Sequence, residues 1–385
     1  MSTLRFFTAG ESHGPQLTAI VEGCPARLPL SAADIDRDLR RRQLGHGRGQ
    51  RQTIESDRAR IVGGVRYGRT TGAPIALVIE NRDAANWGDA LSVGEPAERA
   101  APVRVPRPGH ADLGGALLYD LDDLRDVIER ASARETAARV ACGAVARRLL
   151  AEIGCRVRSH VVRIGAVAAS PPVDLDELEA ADDDPVRCLD AAASRSMQAA
   201  IDTAAEQGDT LGGVFDVVAV GFPAGVGSYA QADRRLGARL AAAIMSIHAV
   251  KGFEIGAGFA AAGLPGSQVH DEIGWAEGRG YFRHTNRAGG VEGGISTGEP
   301  IVVRAAMKPI ATLATPLRSV ELGSHRAAEA PVERSDVCAV PAAAVVGEAV
   351  VALTLADAAL QRFGGETLAD FSAAIAAAAA RTARR

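Results

Sequence analysis

Strand-like runs and helical stretches alternate along this chain without a strict strand–helix–strand rhythm, and that irregularity limits its fold more than any other feature. A doubly wound parallel sheet needs a crossover helix after nearly every strand. Here "LTAIVEG", "PIALVIEN", "VRSHVVRIGAVA", "GGVFDVVAVGF" and "PIVVRAAM" read as strands, while helices are signalled at other intervals. Ser31 and Asp34 form a capping box ahead of apolar Ile35 and Leu39, which predicts a helix ending near Gly45. Ser132 with Glu135 repeats the device before a longer helix through Val140, Val145 and Leu149 that stops at Gly154. Further helices are expected from about Asp233 to Ile247, from Pro341 to Phe363 ahead of Gly364 and Gly365, and from Thr367 onward. The expected class is α+β. No short internal repeat and no clear linker divides the chain, so residues 1–385 are expected to form one domain.

Between these elements, "SPPVDLDELEAADDDP" at 170–185 reads as a solvated acidic excursion, and the stretch from Arg82 to Gly109 as a long loop. Loops of that length in a compact protein are usually functional or disordered. The longest apolar runs, such as "AAIAAAAA", are too short and alanine-rich to span a bilayer. No secretory leader is evident, so a cytoplasmic protein is the expectation. Cys24, Cys142, Cys155, Cys188 and Cys338 lack CxxC or zinc-ligand spacing and read as reduced, mostly core thiols. No metal site is expected.

A net charge of −4 argues against general polyanion binding, yet arginines cluster. Six fall between Arg37 and Arg51, with Gly45, Gly47 and Gly49 among them. A solvated helix face accounts for Arg37, Arg40 and Arg41. The glycines around Arg48 instead let the backbone curl so that guanidiniums converge on an anion. "RVPRPGHAD" sets Arg104, Arg107 and His110 in a proline-stiffened turn, and Arg130 and Arg134 flank a capped helix start suited to phosphate. Only Lys251 and Lys308 are lysines, which raises interest in both. Arg334 and Asp336 precede the helix at Pro341, where a surface ion pair is the plain reading. Arginines gathered around such a site are expected to repel one another until an anion relieves them.

These clusters imply small ligands with several negative charges. RNA binding would need stacking platforms, but aromatics are 4% of residues and none interleave with the arginine cluster. "GVGSYA" hints at a dinucleotide turn, yet "FPA" separates it from the strand and no acidic partner follows at the required distance. The glycine-dense "HTNRAGGVEGGISTGEP" reads either as turns or as backbone approaching a ligand closely. "GESHG" taken alone is a polar turn, and activation of Ser12 by adjacent His13 is disfavoured because neighbours on a strand face opposite ways.

Taken together, "GESHG", "RRRQLGHGRG", "RPGHADL", "ERASARETAARVACGA", "MSIHAVKGFEIG", "NRAGGVEGGISTGEPI" and "RSDVCAVPAA" closely resemble the chorismate synthase family, in its order and over nearly the whole chain. The resemblance implies a sandwich of antiparallel sheets around central helices, assembled as a homotetramer. It implies a lyase that eliminates phosphate from 5-enolpyruvylshikimate 3-phosphate to give chorismate, with reduced FMN required although the reaction is redox-neutral. His13 is then the acid at the departing phosphate, His110 the partner of the reduced flavin, and Asp336 a proton relay from its N5. Arg42, Arg48, Arg107, Arg134 and Arg334 would grip the substrate. Arg42 and Arg48 stand where the family is sometimes assigned nicotinamide nucleotide. Flavin contacts would come from Arg130, Ala131, Ser132, His248, Ala249, Gly293, Lys308, Pro309, Ile310, Ala311, Thr312 and Arg334. With no added reductase segment in view, reduced flavin is expected from an external reductant, and neither nucleic acid nor membrane is expected as a partner. His46, where tyrosine is common, Phe222 and Thr297 depart from the family pattern.

Overall fold

Two antiparallel sheets enclose a helical middle. The computed structural model describes residues 4–49, 54–170, 176–333 and 335–383. Its first sheet joins β1 (Arg5–Ala9), β2 (Gln16–Glu22), β3 (Ala59–Gly63) and β4 (Ile75–Glu80) in the order β1-β2-β4-β3. The second joins β5 (Arg156–Ile164), β6 (Val167–Ala168), β7 (Gly213–Val220), β8 (Val250–Ile255) and β9 (Ile301–Met307) in the order β8-β9-β7-β5-β6. Every pairing in both is antiparallel. All the apolar runs read as strands lie in these sheets, whereas β1, β3 and β8 are short or only half apolar and escaped that reading.

The main helices are α1 (Ala32–Gln43), α2 (Asp112–Tyr119), α3 (Arg125–Arg130), α4 (Thr136–Ala151), α5 (Ala191–Glu206), α6 (Leu236–Met245), α7 (Val340–Phe363) and α8 (Leu368–Thr382). Helix α4 covers β2 and β4, α7 covers β5 and β7, and the two helices pack against each other. The layering is therefore sheet, helix, helix, sheet, which is the α+β sandwich expected. Glycine sets the closest approaches. A Cβ on Gly143 of α4 would lie 2.3 Å from the Ala349 side chain, and one on Gly347 would lie 2.7 Å from the Phe215 ring of β7.

Helix α7 is long and apolar enough to cross a membrane, contrary to what the short alanine runs indicated, but its apolar stretch is wholly buried in the protein. It also carries a buried charge. Glu348 accepts hydrogen bonds from Arg41 at 2.7 and 2.8 Å and from Ser159 at 2.7 Å, with Arg147 at 3.1 Å. Burial alone would raise its pKa, but Arg41, Arg147 and Arg187 outweigh that and hold it far below the usual carboxylate range. Arg41 is thus a core ion-pair residue and not part of a solvated face. The acidic excursion is solvated at Asp176, Glu177, Glu179 and Asp183, but residues 176–183 form a 3₁₀ turn that buries Leu178 and Ala181, and Asp182 accepts from Arg41 at 2.8 Å. The stretch 171–175 lies outside the described residues.

Candidate active site

One cavity of about 660 Å³ opens where the C-terminal end of α1, the β1–β2 turn, the α3–α4 junction and the N-terminal end of α7 converge. His13 reaches it from the β1–β2 turn. Gly10 makes that turn possible, with φ +108° and no room for a Cβ, which would stand 2.4 Å from the Gln16 carbonyl. Asn81 braces the turn by donating to the Glu11 and Gly14 carbonyls at 3.1 and 2.7 Å. The His13 ring stacks on Trp87 with centroids 3.9 Å apart. Its Nδ1 lies 2.9 and 3.0 Å from the Glu129 oxygens. Ser12 meets the Ser132 hydroxyl, which donates at 3.0 Å, and does not pair with His13.

His110 enters just before α2. Its Nδ1 makes a short contact with the fully buried Asp112, which also accepts from Arg107 Nε at 2.8 Å and from the Arg107 backbone N–H at 3.0 Å. Burial would raise the Asp112 pKa, yet the bonds from His110 and Arg107 drive it well below the normal range. The carboxylate is therefore an acceptor only, and Arg107 Nη2 also lies 3.1 Å from His110 Nδ1.

The arginines do converge, but not as bare repelling charges. Arg134 donates to Asp57 at 2.6 Å and to Asn81 at 2.8 Å. Arg42 donates to Thr136 at 2.9 Å and to the Ala133 carbonyl at 3.0 Å, with Asp57 at 3.4 Å. Burial, partly countered by Asp57, brings the Arg42 pKa down to about 10, which leaves it cationic at neutral pH. Arg48 donates to Asp336 at 2.5 Å, and Asp336 also accepts from the Gly49 N–H at 2.7 Å. Each guanidinium has a carboxylate neighbour, yet the charges of Arg134 and Arg48 still help to lower the Arg42 pKa, so the expected mutual repulsion is only partly relieved within the protein. Gly49 serves this by lying flat on Ser335, whose carbonyl would sit 2.7 Å from an added Cβ.

His13, His110, Asp336, Arg42, Arg48, Arg107 and Arg134 all line the cavity, as do Ala131, Ser132, His248, Ala249, Lys308, Ile310, Ala311 and Thr312. Arg130, Gly293 and Pro309 are not among its lining residues. Arg130 turns back to the Thr8 hydroxyl and carbonyl at 2.9 and 3.0 Å, Gly293 sits in a hairpin turn facing open space, and the Pro309 carbonyl accepts from Lys308 Nζ at 3.2 Å. Arg334 lies outside the described residues. The dinucleotide hint dissolves as well, because Gly227 bridges to Ile295 and α6 begins only at Leu236. At the α4 start, Ser132 accepts from the Arg134 N–H at 3.3 Å, whereas Glu135 is engaged by Thr8 and Arg139, so the expected reciprocal box is not formed.

Two cavity-lining residues each carry a buried nitrogen, Arg48 Nε and His248 Nδ1, with no hydrogen-bond partner among the described residues. Burial lowers the His248 pKa, so its neutral imidazole predominates at neutral pH and can donate or accept. Ala249 beside it holds φ +64°, a strained conformation for a residue with a side chain. Orphaned polar atoms and local strain at an arginine-lined cavity fit a polar, anionic ligand.

Asp336 apart, the site's carboxylates, and Trp87 with them, were missed from sequence. Asp112 stood in plain view within "RPGHAD", and Glu129 immediately precedes the basic "RASAR".

A family model described as chorismate synthase matches residues 4–360. Chorismate synthase of Brevibacillus brevis is 56% identical over 372 residues, covering 95% of this chain and 96% of the relative. That of Symbiobacterium thermophilum is 57% identical over 375 residues, with 95% and 96% covered. A solved structure described as a crystal structure of chorismate synthase superposes with a TM-score of 0.80 at 43% identity, covering 99% of both chains.

Proposed function

The chain belongs to the chorismate synthase family, and on that premise we propose that its cavity eliminates phosphate from 5-enolpyruvylshikimate 3-phosphate to give chorismate, with reduced FMN bound beside the substrate. The observation that carries this reading is the meeting of two histidines, each backed by a buried carboxylate, with four arginines around one cavity. The substrate brings two carboxylates and a phosphate, and the site meets such charge with bidentate donors.

Arg42, Arg48, Arg107 and Arg134, with Arg334, bind and orient the anions. His13 donates a proton to the departing phosphate from its cavity edge. Lys308, residues 310–312, His248, Ala249, Ala131 and Ser132 hold the flavin, and the unpartnered His248 Nδ1 fits a polar ring system. When bound, reduced FMN supplies electron density to the leaving of phosphate and takes up the ring hydrogen, which leaves the reaction redox-neutral. His110 stands at the flavin side with its Nδ1 held between Asp112 and Arg107, and Asp336 relays a proton while held by Arg48 and Gly49. A single catalytic domain over residues 1–385, a homotetramer, an external source of reduced flavin and a cytoplasmic location complete this reading.

Anaerobic incubation with the phosphorylated substrate and pre-reduced FMN is expected to yield chorismate and phosphate in equal amounts without net flavin oxidation. Absence of product, or net oxidation of a nicotinamide nucleotide, would overturn the assignment. His13→Ala is expected to slow phosphate release in a single turnover by about 10²–10⁴-fold.

A further inference from the structure

We propose that Glu129 is a positioning residue for His13: its carboxylate keeps a proton on Nδ1, so that the imidazolium gives up its Nε2 proton toward the cavity and is left as the Nδ1–H ring. This rests on the reading of His13 as the acid at the leaving phosphate. Both Glu129 oxygens lie within 3.0 Å of His13 Nδ1, and Oε2 also accepts from the His13 backbone N–H at 2.8 Å. The Glu129 carbonyl in turn accepts from the Ser12 N–H at 3.0 Å. One residue of α3 thus clamps ring and backbone of the β1–β2 turn together.

The Glu129 side chain has no exposed surface. Burial would raise its pKa, but the bonds from His13 and the charge of Arg125 outweigh it, so the pKa is lowered and the group is anionic at neutral pH. An anionic carboxylate only accepts, which assigns the shared proton to His13 Nδ1. The opposite edge of the ring points the other way, with Nε2 3.8 Å from Asp83, a residue of the cavity wall. Trp87 covers one ring face, leaving the imidazole little freedom to turn over. Among the described residues, the other charged groups packed here include Glu55, which accepts from the Asp83 N–H at 3.4 Å, and Arg125, which lies 3.6 Å from Glu129 and 3.7 Å from Glu333. The pairing of His110 with Asp112 repeats the arrangement on the other side of the cavity. In each, a buried carboxylate holds Nδ1, the role such outer partners play for functional histidines generally, although at His110 Arg107 Nη2 also lies 3.1 Å from that nitrogen.

Glu129→Gln keeps the shape but removes the obligatory acceptor, since its amide can donate to Nδ1. The test is ¹⁵N NMR of the His13 ring in the ligand-free protein above its titration, together with steady-state kinetics. The wild type is expected to show Nδ1–H. Glu129→Gln is expected to shift the ring toward Nε2–H and to lower kcat about 10–100-fold with KM little changed, while Glu129→Asp restores the wild-type tautomer and most of kcat. An Nε2–H ring in the wild type, or an unchanged tautomer and kcat in Glu129→Gln, would overturn the proposal. Wild-type turnover by His13→Ala would instead overturn the acid role on which it rests, leaving the NMR result to report the ring geometry alone.

Discussion

Arg134 and Arg48 reach the same cavity but are held in different ways, and that difference sorts their two effects. Arg134 is buried and bonded to Asp57 at 2.6 Å, and the other guanidinium near Asp57, from Arg42, is 3.4 Å away. Removing one partner of a buried pair leaves an uncompensated charge, so Arg134→Ala is expected to lose about 3–5 kcal/mol of stability as well as substrate affinity. Arg48 pairs with Asp336, which keeps 17% of its side chain exposed and can recover water. Arg48→Ala is therefore expected to unfold near the wild-type midpoint while losing about 1.5–3 kcal/mol of substrate binding. Urea denaturation beside substrate titration separates the two, and equal midpoints for both variants would refute the distinction. The histidines and arginines were legible in the sequence because they stand in glycine-rich or proline-stiffened turns that need a reason. The pairing of each with its carboxylate was not, even where the carboxylate itself was read, since His13 meets Glu129 across 116 positions and Arg48 meets Asp336 across 288. Pairing over such separations is decided by packing, which no local pattern carries.

At the scale of elements, the helix capped at Ser31 and the strands with long apolar runs could be read because local chemistry and burial agree. The Asp34 carboxylate accepts from the Ser31 N–H at 2.9 Å, and Ile35 and Leu39 are buried. Helix α5 escaped notice because alanine and small polar residues fill most of it, although Asp190 caps it and Met197, Ile201 and Ala204 make a narrow buried stripe. Glycine in a helix is likewise ambiguous in sequence, being a weakness unless a neighbour comes close. Gly143 has that reason. A Cβ there would meet not only the Ala349 side chain but its Cα at 2.5 Å, so the α4–α7 contact cannot yield by rotating a side chain. Gly143→Ala is expected to destabilise by about 1–3 kcal/mol despite the higher helix propensity of alanine. Thermal unfolding measures this, and a stabilised variant would show that the two helices separate freely.

For the molecule as a whole, two ligands sharing one cavity must be linked. If the phosphorylated substrate closes the space around reduced FMN, flavin affinity rises with substrate present and substrate affinity rises by the same factor with flavin, which paired titrations check. Independent binding would remove the shared cavity. Stability against pH is set by groups spread through both layers, and the signs differ. Glu348, Asp112, Glu129 and Asp182 have folded pKa values below their ordinary ones, since arginine and histidine partners outweigh burial in each. Their contribution is fully present above the unfolded carboxylate value of about 4 and is lost as pH falls through the lower folded values. The buried thiols act in the opposite direction. Burial pushes Cys24 and Cys155 up to about 12 and Cys338 up to about 11, each favouring the neutral form. Their contribution is complete below the unfolded thiol value of about 8.5 and disappears as pH rises through the folded values. Burial lowers the folded pKa of His160 and His248, so their contribution is present above the unfolded histidine value of about 6.5 and is lost as pH falls through the lower folded values. Urea midpoints are therefore expected to stay level between roughly pH 7 and 8 and to fall on both sides. The alkaline fall should be reduced in Cys338→Ala relative to wild type, because that variant no longer has this thiol to ionise. An alkaline limb that is unchanged in Cys338→Ala would show that other groups govern it.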